Sequence, residues 1–256
     1  MKNKKKLLII FIALLILLTL YFFSKEEKVQ ILNEYSPEGK LLGTNEYVVR
    51  NGDTIMHGKF INYNAKGNKI AEGRFIDGNV KGKCIYYYDS GKIEAVQFKS
   101  GKITNESNFY DENGLIENYT MYSDLGETTF IITFNEKIVN KYDGYSIWPI
   151  DQYKLVNNKQ YGIKTGDILK IGDTIRYNYL VANIPYAKRT FKIETVGANN
   201  SKAKRIIKSK LPTEIIVEEV LTKKGLNRIQ IVAQYQFEDK VTPTLNKVVS
   251  FDVYVN

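Results

Sequence analysis

Apolar and polar residues alternate with period two along most of the chain, the spacing that sends successive side chains to opposite faces of a strand. Between residues 30 and 135 glycine interrupts the alternation about every dozen residues, as hairpin turns do. One pattern recurs: an aromatic residue, three more, then glycine. It covers Tyr35 to Gly39, Tyr63 to Gly67, Tyr87 to Gly91, Tyr110 to Gly114, and Tyr122 to Gly126. A second set, Gly52, Gly78 and Gly101, falls between them. A recurrence near 23 residues that holds two turns predicts tandem two-stranded units. Glycine supplies the positive φ of each turn. The tyrosine before the turn is expected to stack on its counterpart in the next unit. A lone hairpin is marginal in water, so the units must cover one another, and an elongated, twisted antiparallel sheet follows.

From residue 145 to 256 turn signals thin out and the alternating runs lengthen. Strands are predicted at 163–168, 174–182, 189–196, 214–221, 227–237 and 247–255. Ile175, Tyr177, Tyr179 and Val181 share one face of their strand, as do Ile229, Ile231, Ala233, Tyr235 and Phe237 of theirs. Six or seven such strands predict a β-sandwich of immunoglobulin-like type. The stretch from Leu221 through Gly225 to Ile229 resembles the E–F corner of bacterial Ig-like domains. Tyr142-Asp143-Gly144 marks the junction between the two regions, and Trp148 is expected to pack between them.

The N-terminus breaks the pattern. Leu7 to Phe23 carries no charge, Gly or Pro and is apolar throughout except for Thr19. As a helix these 17 residues span about 25 Å, near the lower limit for crossing a bilayer. Lys2, Lys4, Lys5 and Lys6 precede the run, and Lys25-Glu26-Glu27-Lys28 follow it with no net charge. The positive-inside rule therefore places residues 1–6 in the cytoplasm, 7–23 in the membrane and the body outside. An uncleaved signal anchor is the favoured reading. A cleaved signal peptide is the alternative, although no A-x-A-like site precedes Lys25.

Charge refines this picture only slightly. Four of the 37 basic residues precede the apolar run, leaving 33 against 28 acids, a balance of +5. That is below the footprint of a nucleic-acid binder, and no nucleic-acid partner is expected. A basic cluster does occur in the second region: Lys188, Arg189, Lys192, Lys202, Lys204, Arg205, Lys208 and Lys210. It reads either as a patch for an anionic partner or as a solvated strand and loop. Tyrosine is unusually frequent at 19 residues, which suits both strands and protein recognition.

Catalytic material is scarce. The single cysteine, Cys84, forbids an intrachain disulfide and reads as a small buried hydrophobe, and the single histidine, His57, sits beside a repeat glycine in a turn role. With one of each, metal sites and nucleophile–histidine pairs lack residues. Glu218 and Glu219 point to opposite faces of one strand and cannot share a substrate. No catalytic residue, metal or cofactor is assigned.

The run His57-Gly58-Lys59-Phe60, Tyr63 to Gly67, Glu72-Gly73-Arg74-Phe75, Gly78 and Gly82-Lys83 resembles the MORN-repeat variant of YwqK-type antitoxins, which are common in bacteria. The match is good over residues 57–102. It departs at Cys84, where the family prefers an aromatic residue, and over residues 103–135, which lose the Gly-Lys-aromatic element. The chain as a whole is then expected to be mainly β: the transmembrane helix read from the apolar run, a sheet that the resemblance makes MORN-like over 30–135, and the Ig-like sandwich read from the alternating strands over 145–256. Tyr35, Gly39, Tyr63, Gly67, Gly78, Tyr87, Gly91, Gly101, Tyr110 and Gly114 are then the turn and stacking residues. The implied setting is a bacterial inner membrane. The expected role there is a protein-binding scaffold for an envelope protein. The alternatives are an antitoxin or immunity protein for a cognate toxin and, with little to support it, an envelope enzyme.

Overall fold

A computed structural model describes residues 27–157, 159–164, 166–197, 203–209 and 212–256. The expected anchor at 7–23 and the tail at 1–6 lie outside the described residues, as do Lys202 and Lys210. No helix among the described residues is long and apolar enough to cross a membrane. The fold is mainly β.

The first ten strands are β1 (Gln30–Tyr35), β2 (Leu41–Arg50), β3 (Asp53–Tyr63), β4 (Lys69–Ile76), β5 (Asn79–Tyr87), β6 (Ile93–Ser100), β7 (Ile103–Tyr110), β8 (Ile116–Tyr122), β9 (Thr128–Asn135) and β10 (Ile138–Gly144). They form one ten-stranded antiparallel sheet in sequence order, each strand beside the next. The sheet thus runs past residue 135 to Gly144. Because the chain turns back at every step, alternate turns lie on opposite edges. The turns at 36–39, 64–67, 88–91 and 111–114 share one edge, and those at 51–52, 77–78, 101–102 and 123–126 share the other. The Tyr122 to Gly126 segment therefore matches the first set in sequence but sits on the opposite edge.

Face assignment follows from the register. Phe60 pairs with Gly73, Cys84 with Gln97 and Tyr86 with both Ala71 and Ala95. Rings thus alternate with small residues on this face. A Cβ on Gly73 would stand 2.7 Å from the Phe60 ring and 2.8 Å from Cys84 Sγ. The small thiol at Cys84 leaves room for the Phe60 ring over Gly73. Ala71, Cys84 and Ala95 are buried as a result.

The remaining strands form two sheets. These are β11 (Ile147–Val156), β12 (Lys159–Gly162), β13 (Ile168–Leu169), β14 (Thr174–Val181), β15 (Ala187–Thr195), β16 (Arg205–Ser209), β17 (Glu214–Val220), β18 (Gly225–Phe237) and β19 (Leu245–Val255). One sheet has the order β12-β11-β14-β17-β16, the other β13-β19-β18-β15. They pack face to face: the Tyr177 ring of β14 meets the Phe251 ring of β19 at 5.1 Å between centroids. Three strands, β11, β12 and β16, were not expected. Pro149 interrupts the pattern of β11 and sits at a register shift, where a missing N–H does no harm. Instead of a strand over 163–168, the structure has β12 ending at Gly162 and a two-residue β13. Trp148 lies on β11 itself, packed against the main core.

That core is continuous between the two regions. Tyr119 and Met121 of β8 and Phe130 and Ile132 of β9 join one buried cluster with Tyr177, Ile229, Ile231 and Tyr235. One face of the long sheet at its β7–β10 end is therefore covered by the second region.

Candidate functional site

The turns on the first edge are built by local chemistry. In each, the residue after the tyrosine donates its N–H to a carbonyl four residues on, and the glycine N–H returns to that same residue's carbonyl: Ser36, Asn64, Tyr88 and Asp111. Ser36 Oγ, Asn64 Oδ1 and Asp111 Oδ1 each accept two further backbone N–H groups, two and four residues ahead. These are the short polar side chains that bind their own backbone in turns. The opposite edge uses two-residue turns at 51–52, 77–78 and 101–102, whereas Ser123 builds a turn of the first kind at 123–126. Asn51-Gly52 and Asp77-Gly78 have positive φ throughout (53° and 90°, 50° and 77°), which matches the right-handed twist of the strands they join.

Adjacent turns on the first edge are linked. Lys40 Nζ donates to Ala65 O at 3.0 Å, Lys66 Nζ to Asp89 Oδ2 at 2.8 Å, Lys92 Nζ to Glu112 O at 2.7 Å, and Tyr88 Oη to Tyr110 O at 2.7 Å. The repeat tyrosines behave differently from expectation. Among the described residues, no ring pair joins Tyr35, Tyr63, Tyr87 and Tyr110 to one another. Tyr87 instead donates its hydroxyl to Glu72 and lies under Lys69 Nζ, 4.2 Å from the ring centroid. The cause is spacing: alternate hairpins are separated by an intervening strand, so a polar or charged neighbour fills the gap.

These features leave an open surface at the β1 end. β1 is the last strand of the sheet, so its outer N–H and C=O groups face away from any described strand. Ile31 is 65% exposed and Tyr35 60%, and Val29 and Leu32 are exposed beside them. Natural sheets commonly blunt such an edge with proline, inward charge or a covering loop. The adjoining face carries Ile61, Glu72 and Ile85, each half-buried, in the register row that continues through Val96 and Asn108 to Tyr119 and Ile132. That row is roofed by the second region at one end and open at the other.

Buried charge marks the roofed end. Glu106 of β7 is 1% exposed and accepts the Tyr119 hydroxyl at 3.0 Å; the same hydroxyl accepts the Asn183 N–H at 2.8 Å. Burial pushes the Glu106 carboxyl up to about 7, against the opposing pull of Tyr119, Asn183 and Arg189. No sequence signal singles out this trio, because its members come from distant strands.

The expected basic cluster divides. Arg205 and Glu219 have side chains only 9% and 6% exposed and are paired at 2.8 Å, with the Tyr177 hydroxyl also on Glu219 at 2.8 Å. Arg189 caps the carbonyls of Val181, Ala182 and Pro212. Both arginines are thereby structural. Lys188, Lys192, Lys204 and Lys208 are exposed, with Lys192 at 3.1 Å from Glu194 and Lys208 at 3.7 Å from Glu218. Glu218 faces outward to Arg176 while Glu219 faces inward. His57 contacts Asp77 at 3.2 Å beside the 77–78 turn. No group of three or more metal-capable side chains occurs among the described residues. Comparison with known proteins finds no matching family model and no matching curated protein.

Proposed function

We propose that this protein is a membrane-anchored, extracytoplasmic binding or scaffold protein, held by residues 7–23 and engaging a protein partner through the β1 end of its repeat sheet. The observation that carries this reading is the open edge strand with its exposed Ile31 and Tyr35, at the end of the sheet that the second region leaves uncovered. An extended segment of a partner would add to β1 by main-chain hydrogen bonds, with Ile31 and Tyr35 as side-chain contacts. The sheet is read as a MORN-variant array on the strength of its repeated turns. The second region is read as Ig-like because β11, β14, β17 and β16 follow the order A, B, E, D and β19, β18 and β15 the order G, F, C.

A second reading, antitoxin or immunity protein, rests on the YwqK-type resemblance and makes the partner a toxin arriving outside the membrane. Crosslinked affinity purification of the full-length protein from its native membrane separates the two. One stoichiometric partner that is toxic when produced alone supports the antitoxin. A non-toxic envelope assembly supports the scaffold. Failure to recover any partner stoichiometrically counts against both.

A further inference from the structure

The edge that carries the two-residue turns holds a group of five cations. Arg74 of β4 and Lys59 of β3 are direct cross-strand partners. Lys81 and Lys83 lie on β5 opposite the irregular interval that contains Arg74, and Lys102 sits in the next turn on that edge. All five are exposed, and among the described residues none of them forms an ion pair. Like charges directly opposite one another on a sheet repel, so a group of this kind is stabilised when an anionic surface lies against it. Carboxylates near the group are engaged elsewhere: Asp77 by Arg50 at 2.6 Å and His57 at 3.2 Å, Glu72 by Lys69 at 3.2 Å, and Glu46 by the Lys59 backbone N–H at 2.6 Å.

The chain enters the sheet on this same edge. Glu27 is clamped by Arg50, with Nη2 to Oε2 at 2.7 Å, immediately beside the 51–52 and 77–78 turns. From Phe23 to Glu27 an extended chain covers at most about 14 Å. Resting on the anchor reading above, the edge with Lys81 and Lys102 stands close to the membrane surface, whereas the Lys66 and Lys92 turns lie a full strand length away.

We propose that the edge formed by Lys59, Arg74, Lys81, Lys83 and Lys102 docks on anionic lipid headgroups of the membrane that holds the anchor. The contact would lay the repeat sheet against the bilayer by its turn edge and leave the β1 edge free for a partner. It is electrostatic and short-ranged, so it weakens as salt shortens the screening length.

The test is lysine reactivity of the full-length protein in lipid nanodiscs. Discs of phosphatidylcholine alone are compared with discs containing phosphatidylglycerol, using an amine-reactive reagent and mass spectrometry. Lys81, Lys83 and Lys102 are expected to label at least about threefold more slowly in the anionic discs and to regain their reactivity in high salt. Lys40, Lys66 and Lys92 on the opposite edge should label alike in both. Equal labelling of the two edges in protein that co-elutes with the discs overturns the docking alone. Protein that fails to co-elute with either disc refutes the anchor and this proposal with it. Protection in native membranes but not in anionic discs would assign the patch to an acidic protein and overturn the lipid assignment.

Discussion

Gly73 and Glu106 show how much one position decides. The backbone at Gly73 lies outside the left-handed region, so its need for glycine is steric: the Phe60 ring and Cys84 Sγ occupy the place of a Cβ. Gly73→Ala should destabilise the protein by about 1–3 kcal/mol through overpacking, read from denaturant unfolding. An unchanged midpoint would mean that the ring does not lie where it is described. Glu106 is held neutral more readily when folded than unfolded, its carboxyl raised from 4.5 to about 7. The native state then binds the extra proton between those values, so stability is full below about pH 4.5, falls as pH rises towards 7 and levels off above it. The loss is about 3 kcal/mol. Glu106→Gln should remove this slope, measured as the difference between wild type and variant at pH 5 and pH 8. A parallel pH dependence in both would place the carboxyl in a solvated setting.

At the scale of elements, the turns were legible in the sequence because their chemistry is local. A short polar residue, two more and a glycine bind their own backbone wherever they occur, as at Asn64 and Asp111. Asn64→Ala removes two of these bonds and the contact to Asp89 at 2.8 Å, and should cost roughly 1–2 kcal/mol. Thermal unfolding checks this; a loss below experimental error would make the cap redundant. Elements set by distant partners were not legible. Strand β11 hides behind Pro149, whose place at a register shift is a tertiary fact. Tyrosine stacking was expected from spacing alone, yet an intervening strand separates successive repeat tyrosines and gives Tyr87 the company of Glu72 and Lys69. The basic run on β15 and β16 carried no sign that Arg205 turns inward to Glu219. Arg205→Ala should therefore cost about 3–5 kcal/mol by leaving a buried carboxylate unpaired. Lys188→Ala or Lys192→Ala should stay within about 0.5 kcal/mol of wild type. Similar effects for all three would restore the cluster to the surface.

Across the whole molecule, a ten-stranded sheet is roofed at one end and open at the other, with the buried cluster from Tyr119 to Tyr235 crossing the boundary. The open end carries the functional proposal, and its most exposed apolar residue on the edge strand is Ile31. A photo-crosslinking residue placed at Ile31 of the full-length protein, in its native membrane, tests that proposal most directly. The account predicts one dominant, stoichiometric protein adduct from Ile31 and none from the control position Val248 on β19, which is also exposed. Equal capture at both positions, or capture at Val248 alone, would contradict it.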